Sequence, residues 1–372
     1  MERIKRDKNR VDIAKLTPND TTGDQLTGGY IMKVDKLTGS SSSYFASPYD
    51  IKVKYLWHDP EDTELHPDQK NYIQNYIINF ENLMNGPGWN NYVSGYNSMI
   101  EVNSFIDFMI MQELGRTVDG YRSSSFLYKQ KDSLGGLLRA GPMWDFNLSY
   151  GNADYCDAYD TAGYQMDFNQ ACPQFSSAVP FWWNKFLLDT NYTHLLKCRW
   201  TYLRNTVLHT DSVNARIDSM KLVLNESQQR NFMQWPILGV YVNWNYFVGQ
   251  TWLEELDYLK LWIEARSKWL DTHLPGYCWD LSVNDPDLAK LVTHKLYPNP
   301  AADYFFLDVY EPFRVKNAQF RLFDITGKEQ MNYGNINNNH LDIRRNGLAA
   351  GIYFYVLHQD GKVIASGKLV MQ

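Results

Sequence analysis

The feature that most constrains this chain is a change of rhythm near residue 280. Before it, apolar residues recur at the three- and four-residue spacing of helices, interrupted by a few short strands. After it, short strands return at regular intervals between turns. Two rhythms in one chain predict two domains and an α+β fold class. In the first part, Tyr72, Ile73, Tyr76, Ile77, Phe80, Leu83 and Met84 share one helix face, and Gly86-Pro87-Gly88 breaks the helix. Val102, Phe105, Ile106, Met109, Ile110 and Leu114 form a second stripe, with Gly115 as its stop. Leu26–Val34 reads as a turn feeding a strand, Ser40–Ser43 as a loop, and Ile51–Leu56 as a strand of period two. Phe126–Tyr128 and Leu137–Ala140 read as two short strands around a turn at Lys131–Gly136. Residues 180–275 read as helical, and Trp252, Leu256, Leu259, Ile263, Arg266 and Leu270 mark a core stripe in that stretch.

The second part begins with a linker signal, Asn284-Asp285-Pro286-Asp287. Strands are expected at Phe305–Val309, Phe320–Asp324, Gly351–Val356 and Lys368–Met371, with turns at Thr326-Gly327-Lys328 and Asp360-Gly361-Lys362. That spacing predicts a small Ig-like β-sandwich. The resulting domains are 1–280, a linker over 281–294, and 295–372.

Charge and composition exclude several classes. Lys plus Arg number 36 and Asp plus Glu 42, a net charge of −6, and no basic run is long enough to track a phosphate backbone. A nucleic-acid partner is therefore disfavoured. No stretch reaches the ~20 apolar residues of a membrane span. Met1–Arg10 is densely charged and lacks the apolar core of a secretory signal peptide. His58, His66, His194, His209 and His273 are scattered without zinc-ligand spacing, and no Gly-x-Ser-x-Gly elbow occurs. Asn191-Tyr192-Thr193 has the form of a glycosylation sequon, but it falls in a helical region. The cysteines are Cys156, Cys172, Cys198 and Cys278. Cys156 and Cys172 flank a polar loop, which fits either a loop-closing disulfide or two buried thiols.

The tail carries four motifs in order: Leu296-Tyr297-Pro298-Asn299-Pro300-Ala301, Leu322–Lys328, Leu348–Val356 and Lys368-Leu369-Val370. Together they resemble the C-terminal sorting domain of the Bacteroidetes type IX secretion system. The resemblance implies a partner in that machinery, export across the outer membrane, and then removal of the tail or attachment to the cell surface.

The unit 99–147 orders a helix, a polar loop with Asp119, two short strands, and Asp145-Phe146-Asn147. This order resembles the core of a protein kinase. There one Asp orients the substrate hydroxyl, and a second, beyond a hairpin, holds a hard cation on the phosphates. The wording is closer still to the CotH family of atypical secreted kinases. It is carried by Ser104–Asp107 with Glu113-Leu114, Val118-Asp119-Gly120-Tyr121-Arg122, and Gly141–Asn147 with Gly151-Asn152. Lys5–Ile13, Gly28-Gly29-Tyr30, Arg199-Trp200 and Arg230–Pro236 add blocks of its Bacteroidetes branch. The likeness covers about 1–275.

The family implies ATP- and Mg²⁺- or Mn²⁺-dependent phosphorylation of Ser on secreted or surface proteins. Carried over by position, Asp119 is the catalytic-loop Asp and Asp145 the metal-binding Asp, with Ser124 and Asn147 at the remaining metal positions. Ser124 stands where a kinase has Asn, five positions after Asp119, and Asn147 stands where the family often has Asp. No Gly-rich phosphate loop precedes Asp119. The expectation is therefore a small lobe, a nucleotide-binding Lys and an export signal upstream of Met1, with little activity in this segment alone. Two plainer readings stand beside it. Asp119 before Gly120 also suits a turn cap, and Arg122, a phosphate-binding candidate, suits an exposed ion pair better. The rival function is a non-catalytic cell-surface protein binding a partner or glycan through the aromatic-rich surface of a kinase-like shell (12 Trp, 26 Tyr, 18 Phe).

Overall fold

A computed structural model describes residues 3–37, 43–91, 94–278, 294–309, 314–359 and 362–372. The linker signal at 284–287, most of the predicted linker, most of the Ser40–Ser43 loop and the Asp360-Gly361 part of the last turn lie outside the described residues. The chain divides into two compact units, Met1–Cys278 and Trp279–Gln372.

In the first unit a short helix α1 (Gly23–Leu26) leads into β1 (Tyr30–Val34), then β2 (Tyr44–Ala46) and β3 (Lys54–Asp59). These join β4 (Ser125–Lys129) and β5 (Leu138–Ala140) in one antiparallel sheet of order β2-β3-β1-β4-β5. Tyr30, Ile31, Met32 and Val34 are all buried, because β1 is central and covered on both faces. The strand expected at 51–56 lies further along. Asp50 accepts from the Lys52 amide (2.9 Å) and the Val53 amide (2.9 Å), so an Asp-led turn takes Ile51 and Lys52 out to solvent.

Helices α2 (Pro67–Asn85) and α3 (Val102–Gly115) follow the predicted stripes. His66 caps α2 from its ring onto the Asp68 amide, ahead of a helix-starting Pro67. Glu101 caps α3 on the Ser104 amide (2.9 Å). Gly115 is the last residue of α3 and not the residue past it. Arg116 takes the left-handed cap at φ 42°. A Cβ on Gly115 would meet Thr117 Oγ1 at 2.9 Å and the Phe146 ring at 3.1 Å, so this glycine makes room for the 145–147 turn.

The helical stretch 180–275 resolves into α5 (Trp182–Phe186), α6 (Thr190–Arg204), α7 (Thr210–Gln234) and α8 (Trp252–His273), with α4 (Phe168–Ala171) just ahead. Residues 235–251 interrupt it with turns and loops. The expected α8 stripe is core only in its second half. Arg266 and Leu270 are buried with Trp262 and Ser267, while Trp252, Leu256, Leu259 and Ile263 are half-buried. Two disulfides close the unit, Cys156–Cys172 and Cys198–Cys278.

The second unit holds β6 (His294–Tyr297), β7 (Tyr304–Val309), β8 (Ala318–Asp324), β9 (Glu329–Ile336), β10 (His340–Arg344), β11 (Gly351–Gln359) and β12 (Lys362–Met371). They form sheets of order β10-β7-β6 and β12-β11-β8-β9. Phe305, Leu307 and Ile343 of one sheet share a core with Phe320, Leu322 and Leu357 of the other. That is the expected sandwich. The fold is α+β.

Candidate functional site

The register of the first sheet builds the site. Val34 pairs with Ser125, so the residues just outside that pair, Asp35 and Ser124, come side by side. The Ser124 amide donates to Asp35 Oδ1 at 3.4 Å. Lys33 Nζ holds Asp35 Oδ2 at 3.2 Å. The β4–β5 hairpin then folds back. Leu127 pairs with Ala140, and the Gly141 amide donates to Phe126 O at 2.8 Å. Asp145 thereby returns to the start of β4, where Ser124 Oγ donates to its Oδ2 at 3.1 Å. Ser124 and Asp145 both have left-handed backbone, φ 50° and 68°. Non-glycine residues hold that region only where the surroundings enforce it, as at functional turns.

Asp119 lies in the turn between α3 and β4. Ser123 donates its amide to Asp119 O at 2.9 Å, so Asp119 and Asp145 are linked through Ser123 and Ser124. The two turns are also tied by backbone. The Val118 amide donates to Leu148 O (3.2 Å), and the Tyr150 amide to Gly115 O (2.7 Å). The Asp119 side chain is 21% exposed, and Arg122 Nη2 binds its Oδ1 at 2.7 Å. Arg122 itself is only 4% exposed. The expected ion pair thus forms, but buried and not on the surface, because Phe168 and Phe175 cover the guanidinium. Burial pushes the Arg122 guanidinium down from its ordinary value, with Asp119 opposing the shift. Nearby, burial pushes the Tyr155 hydroxyl up to about 12, with the Asp119 charge adding to it.

Beneath these turns lies a buried carboxylate lock. Glu113 accepts from Tyr121 Oη (2.9 Å), from the Gln165 amide (2.7 Å) and the Met166 amide (3.1 Å), and pairs with Arg266 Nη2 at 3.1 Å. Burial raises the Glu113 carboxyl despite Arg266, and lowers Arg266 to about 10 despite Glu113. Desolvation outweighs attraction on both partners.

Asp145 opens onto a cavity of about 490 Å³ lined by Arg3, Lys5, Arg10, Met143 and Trp144 among others. A second cavity of about 380 Å³ shares Arg10, Val11 and Pro142 with it and adds Arg139. Volumes of this order suit a small ligand, and the cationic lining suits an anionic one.

The structure brings Asp145 and Ser124 together and sets Asp119 one turn away. Asn147 is not part of that junction. It is exposed, its carbonyl accepts from Asn152 Nδ2 (2.8 Å), and among the described residues no hydrogen bond joins its side chain to Ser124 or Asp145. Sequence reasoning missed Asp35, Lys33 and the cationic lining from Arg3, Lys5 and Arg10. An Asp directly after a buried strand was visible, but its neighbour across the sheet was not. The donors at the junction are a carboxylate, a hydroxyl and the nearby Asp35 carboxylate. Hard oxygen donors fit Mg²⁺ or Mn²⁺, and Mg²⁺ keeps waters and takes few protein ligands. Among the described residues no group of three or more His, Cys, Asp or Glu gathers.

The family model described as CotH kinase protein matches residues 1–270, and the one described as secretion system C-terminal sorting domain matches 295–372. No curated protein matches the chain. The sorting tail marks a secreted or cell-surface protein that engages the type IX secretion machinery. Among the described residues no helix is long and apolar enough to cross a membrane. The first match spans most of the chain, all of the junction between Ser124 and Asp145 included, and on that basis the chain belongs to the CotH kinase protein family.

Proposed function

We propose that this chain carries the large-lobe part of an exported kinase that transfers phosphate from ATP to Ser of secreted proteins. The observation that supports it most is the return of Asp145 to Ser124, one turn after Asp119, at the wall of a cation-lined cavity. In this reading Asp119 orients the Ser hydroxyl and accepts its proton. Arg122 keeps that carboxylate fixed on one oxygen. Asp145 and Ser124 would hold Mg²⁺ or Mn²⁺, with Asp35 beside them, and Arg3, Lys5 and Arg10 would draw the polyphosphate in. The ion, when bound, neutralises phosphate charge. The domain limits 1–280 and 295–372, with 281–294 between them, are proposed for the same protein.

The test is calorimetry of ATP with Mg²⁺ or Mn²⁺ on the full chain and on Asp145→Ala, with phosphotransfer from labelled ATP to casein in parallel. The expected result is metal-dependent binding that the variant loses. Equal binding by both proteins would sink the assignment of Asp145.

A second reading, surface binding without chemistry, is supported by the exposed aromatics Trp235, Tyr241, Trp244 and Tyr246 after α7. Retention on immobilised glycans that survives Asp145→Ala and is lost with Trp244→Ala is its expected signature.

A further inference from the structure

We infer that Arg122 is a positioning residue for Asp119, and that the aromatic cradle around its guanidinium is anchored by the Cys156–Cys172 disulfide. This rests on the proposed reading of Asp119 as the residue that orients the substrate hydroxyl.

Arg122 is held on every side. Its Nε donates to Val118 O (3.0 Å), its Nη1 to Ser177 Oγ (2.6 Å) and its Nη2 to Asp119 Oδ1 (2.7 Å). Its Cζ lies over both rings, 4.0 Å from the Phe168 centroid and 5.0 Å from that of Phe175. A planar fork that is stacked and hydrogen-bonded at three nitrogens has one position. Asp119 Oδ1 is therefore fixed from a rigid mount, while Oδ2 has no hydrogen-bond partner among the described residues. One fixed and one available oxygen is the arrangement that a hydroxyl acceptor needs. A lysine keeps the charge but cannot make these contacts at once.

The cradle comes from the far side of the disulfide loop. Cys172 sits between the two rings in sequence. Its amide donates to Phe168 O (2.8 Å), and the Phe175 amide donates to Cys172 O (3.3 Å). Its disulfide partner, Cys156, follows Tyr155, whose ring stacks on Phe175 at 6.0 Å. Cys156 and Asp157 are consecutive non-glycine residues with left-handed backbone, φ 54° and 56°. Such a pair stays in place only when something tethers it. Asn169 exchanges two side-chain hydrogen bonds with the Val179 backbone (2.9 and 2.8 Å) and closes the turn that carries Ser177. Bond, rings, guanidinium and carboxylate thus form one mechanical series.

The experiment is carboxyl footprinting of the full chain with a carbodiimide and glycine ethyl ester, read residue by residue by mass spectrometry. Arg122→Lys, Phe168→Leu and the double variant Cys156→Ser with Cys172→Ser are compared with the unsubstituted chain. Labelling at Asp119 is expected to rise severalfold in all three, most in Arg122→Lys. Glu113, with 1% of its side chain exposed, is expected to stay protected, and Asp211, at 91%, to stay fully labelled. A variant that exposes Glu113 has lost its fold, and the remaining two then carry the test. Unchanged Asp119 labelling in folded Arg122→Lys overturns the positioning role. Unchanged labelling in both folded cradle variants overturns the anchoring by the disulfide. Phosphotransfer on the same samples separates the two readings. Arg122→Lys is expected to lower kcat by about a hundredfold with the KM for ATP unchanged. No metal-dependent ATP binding by the unsubstituted chain, with the footprint as expected, overturns the kinase reading alone. Undiminished kcat in Arg122→Lys overturns this inference alone.

Discussion

Asp119 and Asp145 stand on turns tied to each other by backbone, yet the fold holds them in opposite ways. Asp119 is clamped. A buried guanidinium fixes one of its oxygens, aromatic rings fix the guanidinium, and the buried Glu113 lies beneath the turn. Asp145 is left open. One serine hydroxyl touches its carboxylate, its backbone is left-handed, and its other side faces a cavity. A carboxylate that must aim a hydroxyl gains from being rigid. One that must take up a cation gains from vacant lone pairs. The contrast therefore fits the proposed division of labour, with Asp119 on the hydroxyl and Asp145 on the cation.

The largest expected effect tests that contrast directly. Asp119→Asn is expected to leave Mg²⁺/ATP binding by calorimetry intact while lowering turnover by about a hundredfold to ten-thousandfold. Asp145→Ala is expected to lose the binding itself. If both variants lose binding equally, the two loops do the same job and the contrast fails.

The next effect concerns the support under Asp119. Arg266 and Glu113 are an almost fully buried pair, 0% and 1% exposed, joining α8 to α3. Removing one partner strands a charge, so Arg266→Met is expected to cost about 3–5 kcal/mol. Urea unfolding followed by Trp fluorescence reads it mainly in the first unit, which holds eleven of the twelve Trp residues. The footprint at Asp119 should rise in the variant before the chain unfolds. A loss below about 1 kcal/mol would mean that the clamp does not depend on this pair.

The same contrast explains what the sequence displayed and what it hid. Both Asp residues, the hairpin between them and the two helix stripes are local patterns, and they were legible. Most tail strands were too, because Phe305, Leu307 and Val309 alternate with less buried residues. β6, β9 and β10 were not; in β9 only Met331 is buried, and Glu, Gln and Asn fill most of the rest. Arg122 read as a surface ion pair because Phe168 and Phe175, about fifty residues later, decide its burial. Asp35 was invisible for a similar reason. Its meaning comes from the Val34–Ser125 register, and register is a property of two strands. Gly115 showed as a helix stop, whereas its missing side chain serves the Phe146 ring.

The smallest effect separates the two loops by pH. His58 Nε2 donates to Ile4 O at 2.7 Å and its ring meets Phe126 edge-on at 5.0 Å. Ile4 lies between Arg3 and Lys5 on the wall of the Asp145 cavity, so His58 braces the open loop and not the clamped one. Burial lowers the His58 pKa below 6.5. Lys33 and Arg3 add to the shift, and the Ile4 carbonyl and Asp59 oppose it. A depressed histidine gives stability that is complete above 6.5 and is lost as pH falls through the lower folded value. Between pH 7 and about 5, Tm of the first unit is therefore expected to fall, and His58→Gln, neutral throughout, to remove part of that fall. Over the same range the Asp145 footprint should rise relative to Asp119 in the unsubstituted chain, and less so in the variant. Identical pH profiles for both proteins would show that the cavity wall does not hang on this imidazole, and the asymmetry between the loops would then rest on Arg122 alone.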